Sequence, residues 1–241
     1  MLNQIFNEDC LEWMKRIPDQ SIDCIITDPP YWTTACKWDT IIPFDAMWER
    51  LNKLIKPNWA IVLFGSEPFS SALRMSNIKN YKYDWIWDKK LWWNSMLVKY
   101  QPYKVHENIL VFWNWKTIYH PIMEKRGKER TKNWKTKNSD NAFWVNWAQY
   151  IRNNIYYPKS ILEISNAKRT WRIHPTQKPV ALIEYLIKTY TNEWETVLDF
   201  TMGSGTTAIA CINTNRNYIG FELDKWYYDI AKERIRNHLS K

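Results

Sequence analysis

The chain has 241 residues, 45% hydrophobic and 24% charged, with a formal net charge of +9 at pH 7. That is enough for one domain with a sizeable core, and too apolar for a disordered or collagen-like chain. The longest purely apolar run, Trp59 to Phe64, is six residues against about 20 for a bilayer span, so no membrane partner is expected.

The start, MLNQIFNEDC, has neither the basic nor the apolar segment of a secretory leader. Cys10, Cys24, Cys36 and Cys211 lack any C-x-x-C pairing and read as reduced thiols of a cytoplasmic chain, with no metal site implied. Ile22 to Thr27 is a short apolar strand that Asp28-Pro29-Pro30-Tyr31 stops abruptly. Phe44 to Ile55 sets Met47, Trp48, Leu51 and Leu54 on one helical face, closed by Pro57. Ala60 to Phe64 is a buried strand, Pro68 to Asn77 a helix, and Tyr83 to Trp87 and Ile109 to Phe112 are further strands, with Asp88-Lys89 placed toward a cleft. Residues about 116 to 172 break the rhythm and read as an insertion outside the main sheet, within a single domain spanning 1–241.

After the insertion, Pro179 to Tyr190 is a helix and Thr196 to Phe200 a strand. Gly205 to Asn213 opens another helix, Arg216 to Phe221 is a strand, and Asp224 caps a closing helix to about Leu239. Alternation of this kind predicts an α/β fold: a Rossmann-like, mostly parallel sheet with helices on both faces.

Within the insertion, Lys116, Lys125, Arg126, Lys128, Arg130, Lys132, Lys135 and Lys137 face only Glu124 and Glu129. Clustered basicity points to a polyanionic partner, and these eight are its expected contacts.

Two stretches carry chemistry. Asp199 to Thr207 contains Gly203-Ser204-Gly205 between a strand and a helix, and Glu222 ends the next strand. That combination favours a nucleoside-containing ligand, although a lone Gly-x-Gly also suits an ordinary turn. Asp28-Pro29-Pro30-Tyr31 sits where open α/β sheets bind ligands, and offers a carboxylate, the Asp28 and Pro29 carbonyls and a ring. Those groups suit an amino group on a flat base, although Pro-Pro alone suits a plain turn.

These motifs and His174-Pro175-Thr176-Gln177-Lys178-Pro179, in this order, resemble the β group of S-adenosylmethionine-dependent DNA amino-methyltransferases, a circular permutation of the usual methyltransferase fold. The resemblance covers nearly the whole chain. It implies that Asp28, Pro29, Pro30 and Tyr31 hold a flipped-out adenine of double-stranded DNA. It implies cofactor contacts at Asp9, Cys10, Asp28, Lys178, Asp199, Thr201, Gly203, Ser204, Gly205, Thr206 and Glu222. Asp in the first motif resembles the adenine enzymes; the cytosine enzymes usually carry Ser. Enzymes of this kind often dimerise, so a second copy of the chain joins DNA among the expected partners. Two positions depart from the pattern: Thr201 stands where an aromatic is usual, and Trp32 where a small residue is usual. Cytosine or RNA adenine as acceptor, or a DNA-binding relic with Trp32 blocking its pocket, stay open.

Seventeen Trp against five Gly is the remaining anomaly. Trp32, Trp59, Trp113, Trp115, Trp134, Trp147, Trp171 and Trp194 stand in turn-like contexts, four of them after Asn, where Gly is the favoured partner. Positive φ is expected at these eight.

Overall fold

Ile25 and Leu63 turn to one face of the central sheet, and Ile26 and Val62 to the other, because successive strand residues point in opposite directions. Strands covered on both faces are buried along their whole length, as Cys24–Thr27 and Ile61–Gly65 are. The structure, a computed structural model, describes residues 1–31, 41–93, 98–113, 116–127, 154–166 and 177–240.

In chain order the strands are β1 (Gln4–Phe6), β2 (Cys24–Thr27), β3 (Ile61–Gly65), β4 (Tyr81–Trp93), β5 (Lys104–Phe112), β6 (Glu124–Lys125), β7 (Ile155–Tyr156), β8 (Ile161–Glu163), β9 (Thr196–Asp199) and β10 (Asn217–Phe221). Eight of them form one sheet in the order β1-β10-β9-β2-β3-β5-β4-β8. Within it only β5 runs against its neighbours β3 and β4; every other pair is parallel. The helices are α1 (Cys10–Trp13), α2 (Phe44–Leu54), α3 (Phe69–Ser76), α4 (Val180–Tyr190), α5 (Thr206–Asn213) and α6 (Lys225–Leu239). Met47, Leu51 and Leu54 of α2 and Leu73 of α3 pack on the Ile25 and Leu63 face, whereas Leu182 and Leu186 of α4, Ala208 of α5 and Ala231 of α6 pack on the other. The mostly parallel α/β sheet is as expected.

The compact units of the structure divide inside the segment read as an insertion, 116–172. Met1–His120 with Ser160–Lys241 forms one compact unit, and Pro121–Lys159 a second. Ile161–Glu163, assigned to the insertion from its composition, is an edge strand of the main sheet paired in parallel with β4. In the second unit, β6 and β7 pair antiparallel. Trp32, Cys36, Trp115, Trp134, Trp147, Trp171, His174 to Thr176, and Lys128, Arg130, Lys132, Lys135 and Lys137 lie outside the described residues.

Of the eight turn-like tryptophans, three are described, and they divide. Trp113 has ordinary φ, and its ring meets Tyr83 edge-on at 5.5 Å. Trp59 also has ordinary φ, while Asn58 before it takes the left-handed conformation at φ 69°. Trp194 alone is left-handed, at φ 68°, with 72% of its surface exposed. An indole there gains little burial, and a non-glycine residue in that conformation costs about 1–2 kcal/mol. Trp194→Gly is expected to stabilise the fold by about 1 kcal/mol, read as a melting temperature raised by about 2–4 °C. A lower melting temperature would refute the glycine-like reading of this position.

Candidate active site

From β2 the chain crosses through α2 to β3, and from β9 through α5 to β10, so the two crossovers leave adjacent parallel strands in opposite directions. A crevice opens at such a switch point, at the carboxyl ends of the strands. It holds a cavity of about 390 Å³, within the usual range for small-molecule sites. Asp9, Cys10, Asp28, Lys178, Gly203 and Glu222 all line it.

One wall is the β9–α5 turn. Gly203 (φ 54°) and Gly205 (φ 81°) are left-handed, which glycine adopts without strain. Glu222, just past β10, accepts the Gly203 N–H at 2.7 Å through Oε2 and the Asp224 N–H at 2.9 Å through Oε1. Burial raises its carboxyl above the usual range, and each oxygen keeps lone-pair capacity for a hydroxyl donor. Asp9 caps α1 by accepting from Leu11 and Glu12, and the neighbouring Cys10 thiol is pushed up to about 12 by burial, hence neutral. Glu8, Asp9, Asp28, Asp199 and Glu222 outnumber Lys178 on the lining. A cation bearing hydroxyl groups fits this set of acceptors.

The other wall is the loop after β2. Asp28, its side chain 21% exposed, accepts from the Tyr31 hydroxyl on Oδ1 and from Lys178 on Oδ2. Burial pushes its carboxyl up, and the Lys178 ammonium opposes this. Tyr31 packs at 5.0 Å against Phe69. An anionic acceptor beside an aromatic ring, next to a cavity for a cation, is the layout for acting on a planar amine.

A family model described as DNA methylase, covering N6 and N4 enzymes, matches residues 22–233. The chain belongs to this DNA methylase family. Among curated relatives, the type II methyltransferase M.HpaI of Haemophilus parainfluenzae is 28% identical, over 98% of this chain and 74% of its own. M.HinfI of Haemophilus influenzae is 26% identical over 98% and 68%. Among solved structures, the M1.HpyAVI–SAM complex is 28% identical with a TM-score of 0.66, covering 96% of this chain and 98% of its own. PvuII DNA methyltransferase, cytosine-N4-specific, is 16% identical with a TM-score of 0.68 over 98% and 91%, a likeness of fold.

Several expected contacts of this methylase are occupied by the protein itself. Asp199, buried, accepts from Thr27, from Thr207 at 2.6 Å and from the Thr201 N–H at 3.1 Å; burial outweighs these donors and pushes its carboxyl up to about 6. Its oxygens tie the turn together. The Thr201 hydroxyl meets Thr27 at 2.7 Å and donates to the Asp28 carbonyl at 3.0 Å. Hence the Asp28 carbonyl, expected to be exposed, already accepts one donor, and a polar link stands where the resemblance implies an aromatic. Ser204 is bound by Arg234 at 2.7 Å and donates to Gln177 at 3.2 Å. Thr206 lines the cavity at the start of α5.

Of the basic residues, Lys116 and Lys125 are exposed. Arg126 is not available in the same way: its guanidinium holds Glu124 at 2.6 Å and the Tyr157 carbonyl at 2.8 Å. Glu107 was not singled out from sequence, yet it stands 3.3 Å from the Lys178 ammonium. A lone glutamate leading into Ile109 to Phe112 was the one available sign. Among the described residues no helix is long and apolar enough to cross a membrane.

Proposed function

We propose that this DNA methylase transfers a methyl group to the exocyclic amino group of a flipped-out adenine in double-stranded DNA. The observation that carries this reading is the shared crevice: the Asp28 carboxylate borders the same cavity as Gly203 and Glu222. The methyl donor is S-adenosylmethionine, whose sulfonium would supply an electrophilic methyl and leave as a neutral thioether as the C–S bond breaks, the surplus amino proton passing to Asp28 and on to solvent. Glu222 is suited to its ribose hydroxyls, the Gly203–Gly205 turn to its methionine portion, and Asp9 and Cys10 to its adenine side. The acidic lining suits its positive charge.

An adenine amino group is a poor nucleophile because its lone pair is delocalised into the ring. Asp28 and the Pro29 carbonyl accept its two N–H hydrogens, which localises the lone pair and aims it. Holding donor and acceptor near attack distance supplies much of the acceleration. A base inside a duplex cannot reach this crevice, so it is flipped, and Tyr31, pinned by Phe69 and by its bond to Asp28, is its stacking partner. Lys116 and Lys125, with the remaining basic residues of the segment, contact phosphates.

The test is incubation of the full chain with labelled S-adenosylmethionine and mixed-sequence duplex DNA, followed by digestion to nucleosides. N6-methyldeoxyadenosine is the expected product. N4-methyldeoxycytidine as sole product would replace adenine by cytosine as the acceptor.

A further inference from the structure

Behind Asp28 stand three charged side chains, of which Lys178 lines the crevice while Glu107 and Lys89 do not. Lys178, 8% exposed, donates to Asp28 and lies 3.3 Å from Glu107 Oε2, while Glu107, 13% exposed, accepts from Lys89 through Oε1. The order Asp28, Lys178, Glu107, Lys89 alternates in sign and sums to zero. Taking four charges out of water is costly, and a pairing of this quality is what makes it tolerable. Phe64 packs its ring 5.0 Å from the Lys178 ammonium, which further limits where that group can go.

The reversed strand explains how Glu107 arrives. Because β5 alone runs antiparallel, its beginning lies at the carboxyl end of β3, with Asn108 opposite Gly65. Glu107 is thereby delivered to the same sheet edge as Asp28, although 79 residues separate them in sequence.

We propose that Glu107 is a positioning residue for methyl transfer: anchored by Lys89, it shares the Lys178 ammonium with Asp28 and so sets the orientation and acceptor strength of the Asp28 carboxylate. This rests on Asp28 being the acceptor for the target amino group. With Glu107 neutralised, Lys178 closes on Asp28 alone, and a tighter ion pair is a weaker acceptor for a substrate N–H. With Lys178 neutralised, the two carboxylates face each other unscreened, and Asp28 takes up a proton more readily. The other groups facing Asp28 are the Tyr31 hydroxyl from its own loop and Asp199 at the end of β9; Glu107 also faces Lys104 of its own strand.

The experiment compares wild type, Glu107→Gln, Lys178→Met and Lys178→Arg as full chains on duplex DNA, with melting curves run beside the kinetics. Glu107→Gln is expected to lower kcat by about tenfold to a hundredfold, leave the KM for S-adenosylmethionine within twofold, and move the acid limb of the kcat profile to lower pH. Lys178→Met is expected to move that limb to higher pH, and Lys178→Arg to return it toward wild type. Displacement in opposite directions supports the proposal, since loss of fold alone would not produce it. Wild-type kcat and profile in a folded Glu107→Gln, or a shift of both neutral variants in one direction, would overturn it. A wild-type chain that methylates only cytosine overturns the adenine reading without touching this one; a wild type that methylates no base overturns both.

Discussion

Asp28→Asn is expected to reduce methyl transfer to DNA by about a thousandfold while leaving S-adenosylmethionine binding within a few-fold of wild type. Asparagine matches aspartate in size but presents one neutral acceptor oxygen, and its amide N–H₂ faces donors. In this protein Asp28 already accepts from Tyr31 and Lys178, so the exchange forces one of these donors against another. The loss should lie in kcat if, as proposed, Asp28 accepts from the reacting amino group, while Gly203 and Glu222 hold the other wall of the crevice. Single-turnover incorporation of labelled methyl, with calorimetry for donor binding, separates the two. Activity within tenfold of wild type would show that the amino group is held by some other acceptor.

Gly205→Ala should act through the fold first and the cofactor second. Gly205 caps α5 at φ 81°, and a Cβ there would lie 3.1 Å from the Ala231 Cβ and 3.3 Å from its Cα on α6. The conformation alone costs about 1–2 kcal/mol for an alanine, and the contact falls on helix backbone that cannot step aside cheaply. A loss of about 2–3 kcal/mol is expected in denaturant unfolding, together with at least tenfold weaker donor binding as the Gly203–Gly205 turn is displaced. A loss below about 0.5 kcal/mol would mean that α6 yields without cost.

The elements legible from sequence were those with enough residues to show a period. The helical faces of Met47–Leu54 and Leu182–Ile187 and the continuous strands at Ile22 and Ala60 needed no tertiary information. β1 and β8 offered only three residues each, with one buried side chain apiece at Ile5 and Leu162, too short for any pattern. β4 extends from Tyr81 to Trp93 because pairing with β5 carries its backbone past the apolar run; Tyr83 to Trp87 was all that alternation could reveal. The same limit governs the site. Asp28, Gly203, Gly205 and Glu222 declared themselves because each sits where a strand ends. Glu107 did not, because its meaning depends on a strand reversal and on a lysine 71 positions downstream. Thr201 was noticed as a departure, but only geometry links its hydroxyl to the Asp28 carbonyl.

The adjacency of β1 and β10, with β9 beside β2, carries a consequence for how activity begins. The amino-acceptor loop leaves the ribosome long before the turn and glutamate that complete the crevice, and the first strand waits for the last before its edge is covered. Long-range pairing of this kind forms late and slowly. A chain broken off before Glu222 lacks part of the lining of the crevice and is expected to bind S-adenosylmethionine more weakly than the full chain.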